Sequence, residues 1–208
     1  MIIEQFGVKL KRLTLDDIEL VRHWRNDPQI QKTMNFREHI TSEMQVKWFH
    51  SINNPFNYYF LIEYKGEFVG VINAKNVSET EKCGEGGIFV WEKREEFEMA
   101  SVFASLTILN TVFKKMDFFQ KSIIQVRRDN PKAIYYNSML GYQENKRLST
   151  EEICFFEMDK QNYHDYTEKL NKVAAQLTRD FELPRMYGVY DETLYLPIFQ
   201  GFLLDEKS

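Results

Sequence analysis

Between residues 84 and 128 the chain lays down an apolar run, a long amphipathic run and a second apolar run, and that order restricts the fold more than any other feature. "GEGGIFVWE" (84–92) is entered through three glycines and carries the short aromatic and β-branched pattern of a strand. In "FEMASVFASLTILNTVFKKM" (97–116), Val102, Leu106, Leu109, Phe113 and Met116 recur at helical spacing. "KSIIQVRR" (121–128) returns to a strand with a core-like centre. A strand–helix–strand unit of this length implies a right-handed crossover between parallel neighbours. Ligands in such sheets collect where strand ends diverge beside a helix N-terminus.

The first half has a different character. "VKLKRL" (8–13) alternates apolar and basic residues, as a half-buried strand does. In "TLDDIELVRHW", Thr14 and Asp17 form a capping-box pair, and Leu15, Ile18, Val21 and Trp24 share one helix face. "RNDPQI" breaks that helix, and Pro28 opens a short second one. "ITSEMQVKWFHSI" is a third, with Ser42 and Gln45 at capping-box spacing. Strands at 58–64 and 67–77 are joined by Lys65-Gly66, a two-residue hairpin signal. After a short helix near 131–140, "GYQENKRL" and "EEICFFEMD" predict a closing hairpin. Beyond residue 160, Tyr163, Tyr166, Leu170, Val173, Leu177 and Phe181 make a helical stripe that stops before Pro184. The last two dozen residues are too apolar for a disordered tail and are expected to dock on this domain or a second subunit.

The fold class is therefore α/β (α+β): a mixed, mostly antiparallel central sheet flanked by helices, with a C-terminal helical extension. Residues 1–159 form the main domain and 160–208 the extension. At 43% hydrophobic and 15% aromatic, the chain can bury a core without disulfides or metal. A net charge of −4 argues against a general nucleic-acid binder. Cys83 and Cys154 match no zinc or redox spacing, and the four histidines show no ligand spacing, so no metal is assigned. No signal-peptide layout opens the chain and no run of about 18 apolar residues exists, so a soluble cytoplasmic protein is expected.

"VRRDNPKAIYYNSMLGY" (126–142) has a complete structural explanation. Asn130 is a good N-cap, Pro131 suits the first helical position and Gly141 is a good stop. The same residues also carry a resemblance. Val126, Asn130, Ala133, Ile134, Asn137, Gly141 and Tyr142 match the closing core pattern of the GNAT superfamily of acyl-coenzyme A-dependent N-acyltransferases. The likeness in element order runs from about residue 8 to 159. "HWRNDPQIQKTM", "ITSEMQVKWFHSI" and "FVGVINAKNV" resemble the subset holding ribosomal-protein and nucleotide-amino-sugar N-acetyltransferases, and "YYFLIEYKGEFVGVIN" leans to the amino-sugar branch.

The resemblance implies acetyl-CoA as co-substrate, a small-molecule amine acceptor and direct attack of the amine on the thioester. Strands 86–92 and 121–128 would splay to admit pantetheine, with a backbone N–H near Val90 steadying the oxyanion. Phe89, Val90, Trp91, Arg94, Met99, Ala100, Ser101, Asn130, Ala133 and Tyr136 become the coenzyme-binding set. Glu85 is the first candidate base, and Glu63, in an otherwise apolar strand, the second. Arg25 and Asn26 in "WRND" are candidates for an anionic substrate, against a helix-end charge and cap. Two departures stand out. "KREEFEMAS" (93–101) holds no glycine where the family's phosphate loop has several, and carries Glu95, Glu96 and Glu98. Asn137 stands where many relatives place a tyrosine acid, with Tyr135 and Tyr136 about 200° and 100° away around a helix. An amide cannot act as a general acid, but it can hold a water or thiol. A protein N-terminal or lysine acetyltransferase, or a GNAT-fold binding module that has lost coenzyme binding, are the alternatives. The extension offers a surface for a homodimer.

Overall fold

The computed structural model describes residues 1–188 and 191–203; positions 189, 190 and 204–208 of the expected extension lie outside the described residues. The chain opens with a hairpin, β1 (Ile2–Gln5) and β2 (Val8–Arg12), which the alternation at 8–13 only half announces. Phe6 and Gly7 turn it with φ of 53° and 76°, the left-handed pair that two-residue hairpins need. The helices α1 (Ile18–Arg25), α2 (Pro28–Gln31) and α3 (Ser42–Ile52) follow. Asp17 closes the start of α1, its carboxylate accepting from the Thr14 N–H at 2.9 Å and the Thr14 hydroxyl at 2.7 Å. The cap of α3 is one residue earlier than the capping-box spacing implies. Thr41 Oγ1 accepts from the Met44 N–H, and Gln45 is free of any capping duty.

Strands β3 (Tyr58–Tyr64), β4 (Glu67–Ser78) and β5 (Cys83–Val90) form a meander. The crossover helix α4 (Ala100–Asn110) ends in a π-helical turn over Thr111–Lys115 and leads to β6 (Lys121–Arg127). Then come α5 (Pro131–Met139), β7 (Gln143–Glu144), β8 (Ile153–Asp159), α6 (Lys160–Thr178), β9 (Arg185–Tyr187) and α7 (Pro197–Leu203). Among the described residues the nine strands form one sheet in the order β7-β8-β6-β5-β4-β3-β2-β1-β9. Every pairing is antiparallel except β5 with β6.

Strand alternation divides the buried residues between two faces. Ile62, Ile72 and Ile124 pack with α4, α6 and α7 on one face. Leu61, Val71 and Trp91 pack with α1 and α3 on the other. The extension shares in the first core. Phe199 stacks on Tyr58 at 4.4 Å, and the Arg12 guanidinium lies between Tyr58 and Tyr195 at 4.7 and 4.9 Å.

The helix at 160–178 buries only part of the stripe expected of it. Tyr163 is buried and Leu170 packs against the core, with Thr167, Ala174 and Ala175 on the same inward side, while Tyr166 and Val173 are exposed and Leu177 and Phe181 are 65% and 73% exposed. A polar network anchors the inward face. The Tyr163 hydroxyl donates to Asn110 Oδ1 at 2.6 Å, and Asn110 Nδ2 donates to Gln5 Oε1 and Asn171 Oδ1, each at 2.8 Å. Leaving those groups unpaired would cost more than exposing leucine.

Candidate active site

β5 and β6 pair for only four residues, Cys83–Gly86 against Lys121–Ile124. Beyond them β5 stays with β4 as far as Val90, and β6 stays with β8 as far as Arg127, so the two strands part. The Trp91 N–H donates to the Val69 carbonyl at 2.9 Å. By antiparallel alternation Phe89 and Gly87 also face β4, and the backbone groups of Val90 and Ile88 turn into the gap. Unpaired strand donors at the mouth of a V are what an extended, amide-bearing ligand needs.

A cavity of ≈ 590 Å³ occupies this gap and is lined from both faces of the sheet. On the α4 side its wall is Ser105, Ile108, Ala133, Tyr136 and Asn137; on the α1–α3 side it is Arg25, Gln45, Trp48, Tyr59, Glu85 and Phe89. The cavity thus passes through the sheet, and two reactants can meet in it from opposite sides.

Glu85 belongs to the second side, since it shares the parity of Phe89 and Trp91 along β5. It is 8% exposed, not a solvated loop carboxylate. Lys75 Nζ lies 2.9 Å from its Oε1, with Gln125 Nε2 at 3.4 Å and Asn76 Nδ2 at 3.3 Å from Oε2. Beside it burial pushes the Tyr59 phenol up to about 12; the Glu85 charge adds to the rise and Arg25 opposes it.

On the other side Tyr136 bridges two helices. Its hydroxyl donates to the Ser101 carbonyl and shares a bond with Ser105 Oγ, both at 2.8 Å, and burial raises its pKa to about 12. Asn137 Nδ2 donates to its own helix at Ala133 O, 2.8 Å, leaving Oδ1 without a partner among the described residues. Asn130 caps α5, accepting the Ala133 N–H at 3.1 Å, and still lines the cavity, so its two readings coexist. Gly141 takes φ +102°, and a Cβ there would lie 2.9 Å from Tyr166 Cβ, so this glycine lets α6 close over the motif.

Several residues singled out from the sequence lie elsewhere. Asn26 clamps a loop, donating to Ile40 O and accepting from Ile40 N–H, both at 2.8 Å, and does not line the cavity. Glu63 faces Lys9 at 4.0 Å at a bulge in β3 and is also outside it. Trp91 is core: it stacks on Trp24 at 5.5 Å and donates to Phe68 O. Arg94 is held by Glu67 at 2.5 Å and Glu92 at 2.8 Å, with its guanidinium over Phe97. Lys93 bonds Gln29. Met99, Ala100 and Ser101 form the start of α4, which no side chain caps and which follows the exposed Glu95, Glu96 and Glu98. Among the described residues no three His, Cys, Asp or Glu side chains gather as a metal site would require, and no helix is long and apolar enough to cross a membrane.

Gln45, Tyr59 and Lys75 are cavity residues that sequence reasoning passed over. A signal existed for Gln45: it sits four residues before the buried Phe49, a polar residue on the inward side of α3.

A family model described as an acetyltransferase (GNAT) domain matches residues 10–163. The chain belongs to the GNAT acetyltransferase family. It is an acetyl-CoA-dependent N-acyltransferase. Solved structures share its fold at low identity. Spermidine N-acetyltransferase from Vibrio cholerae, in complex with CoA and spermine, is 15% identical, with a TM-score of 0.65 over 76% of this chain and 98% of that one. FdhC, a nucleotide-linked sugar GNAT in its apo form, is 16% identical, with a TM-score of 0.65 over 82% and 96%. A domain from Methanocaldococcus jannaschii is 19% identical, with a TM-score of 0.61 over 73% and 97%. No curated protein sequence matches the chain.

Proposed function

We propose that this GNAT protein transfers an acetyl group from acetyl-CoA to the primary amine of a small molecule, foremost an amino sugar carried on a nucleotide. The observation that carries the reading is the cavity through the parted β5 and β6, with Glu85 buried on one side of it and α4 and α5 on the other. The pantetheine arm would lie along the gap, its amides pairing with Ile88 and Val90. The acceptor enters from the α1–α3 side, where Trp48, Tyr59 and Phe89 offer aromatic surface for a sugar or base.

Glu85 takes the proton from the amine, directly or through one water. The nitrogen attacks the thioester carbon, and the oxygen that gains charge is met by the Val90 N–H. The C–S bond then breaks, and the proton taken up by Glu85 returns to the sulfur through water, so that CoA leaves as the thiol. Asn137, with only its oxygen free, accepts a hydrogen bond from that water or from the thiol once it has formed. With Arg94 committed to carboxylates and three glutamates near the start of α4, the pantetheine arm carries more of the coenzyme's binding than its phosphates do.

Two further parts of this reading concern context. The exposed Tyr166, Val173 and Leu177 recur at heptad spacing on α6, a self-complementary seam for a second copy of the chain. Cys83 and Cys154, both buried and free, suit a reducing cytoplasm.

Calorimetric titration with acetyl-CoA and with CoA tests the reaction class, followed by an acceptor screen led by nucleotide amino sugars. Micromolar binding and acetylation of a sugar amine are expected. No heat and no thermal stabilisation at millimolar ligand would overturn the proposal.

A further inference from the structure

The cavity's charges do not balance, and the imbalance says something about the acceptor. Four lining residues carry formal charge: Arg25, Lys75, Glu85 and Arg127. Lys75 is paired with Glu85 at 2.9 Å and Arg127 with Asp129 at 3.0 Å. Arg25 has no ion pair and no hydrogen bond among the described residues; it rests only over the Phe89 ring, 5.9 Å from its centroid. Its Nε is buried without a partner, and so is Nε2 of Gln45, a residue 3% exposed on α3 that lines the same cavity. Buried donors without acceptors are rare in folded proteins, and here one of them belongs to a half-buried guanidinium with no counter-charge. A neutral water would satisfy the Nε–H and leave the charge uncompensated.

We propose that Arg25 and Gln45 form a subsite for an anionic group on the acceptor, so that the substrate is an amine bearing a phosphoryl or carboxylate group and not a polyamine. The assignment rests on the acetyl-transfer reading for the identity of the reacting partner, but not for the anion site itself. The group belongs to the acceptor because Arg25 and Gln45 stand on the α1–α3 side, across the sheet from α4 and α5. A guanidinium fork and an amide lining one cavity suit either planar carboxylate or phosphoryl oxygens. Glu85 lies on the same side, and Tyr59 feels the charges of both Glu85 and Arg25. The acceptor therefore reaches from an anion site to a proton acceptor across an aromatic wall. A polycation would meet an uncompensated positive charge there, a repulsive element that discriminates as strongly as any attraction.

Two experiments separate this proposal from the transfer reading. Without coenzyme, the apoprotein is titrated with inorganic phosphate and with acetate in chloride-matched buffer. Saturable binding of one anion, weakened at least 30-fold in both Arg25→Met and Gln45→Leu, is expected; no binding of either, or binding that survives both substitutions, overturns the subsite whatever coenzyme does. With acetyl-CoA, kcat/KM is compared within matched pairs: glucosamine 6-phosphate against glucosamine, and 4-aminobutyrate against butylamine. A preference of at least 100-fold for the charged member in one pair is expected, and the responding pair distinguishes phosphoryl from carboxylate. Equal rates within both pairs, or faster turnover of spermidine, overturn the assignment. Failure to bind acetyl-CoA with anion binding intact would sink the transfer reading alone.

Discussion

Replacing Arg25 with methionine should make the ligand-free protein more stable, not less. Most substitutions of a part-buried arginine remove contacts. Here the guanidinium makes no ion pair or hydrogen bond among the described residues, and burial pulls its pKa below the ordinary arginine value. A buried donor left unsatisfied costs about 1–3 kcal/mol. Methionine keeps an unbranched apolar stem in the same channel and forfeits the contact with the Phe89 ring, worth about 0.5–1 kcal/mol. The difference is about 1 kcal/mol in favour of the variant. For a chain of 208 residues that corresponds to a rise in Tm of about 2–4 °C. Scanning calorimetry in a buffer free of phosphate and carboxylates measures it, because a bound anion would stabilise the wild type by mass action and mask the gain. A Tm lowered by more than about 2 °C, roughly the shift for 1 kcal/mol, would refute the reasoning. It would mean that the guanidinium has native partners and that no ligand is needed to complete it.

Glu85→Gln keeps the shape of the side chain and removes its basicity; kcat should fall about 100-fold or more while acetyl-CoA affinity, read by calorimetry, stays within a few-fold. Tyr136→Phe deletes the bonds to Ser101 O and Ser105 Oγ and should cost about 1 kcal/mol in urea denaturation, a value near zero contradicting the helix-bridging role. Burial favours the neutral form of Asp17, but Lys11 at 2.8 Å and two bonds from Thr14 outweigh it and hold its pKa below the usual carboxylate value. Its contribution is then fully present above the unfolded carboxylate pKa and is lost as pH falls through the lower folded one. Asp17→Asn should flatten the stability curve below the unfolded carboxylate pKa of about 3.9, and an unchanged acid limb would count against it. Leu177→Glu, at the 65% exposed C-terminal end of the α6 seam, should convert a dimer to a monomer in sedimentation velocity without lowering Tm below that of the dissociated wild type.

The crossover was legible because its pieces are long and strongly periodic. The run 97–116 buries nearly every residue of α4, and strands 84–92 and 121–128 fall within a residue or two of β5 and β6. The first hairpin was missed because Phe6 occupies a left-handed turn position where glycine or asparagine is usual, so no turn signal separates β1 from β2. The α6 stripe had the right period, but of its members Tyr163 and Leu170 reach the core while Tyr166, Val173, Leu177 and Phe181 stay exposed. Apolar spacing finds a helix, but it cannot see that polar Thr167 and Asn171 share the inward face with Tyr163 around Asn110.

For the site the division follows from the range of the forces involved. Capping, turn chemistry and hydrophobic period act within a few residues, and so the sequence by itself determined the element order from about residue 8 to 159, the α5 motif with Asn130 and Gly141, and with them the family. Arg25 and Asn26 are adjacent and chemically alike as candidates for an anion, and nothing local tells them apart. Only the tertiary structure turns Asn26 onto the Ile40 backbone and leaves Arg25 facing a cavity that Gln45 also lines, with its charge unanswered. Which polar group is satisfied depends on partners brought from distant parts of the chain, and that accounting exists only after the sheet has formed.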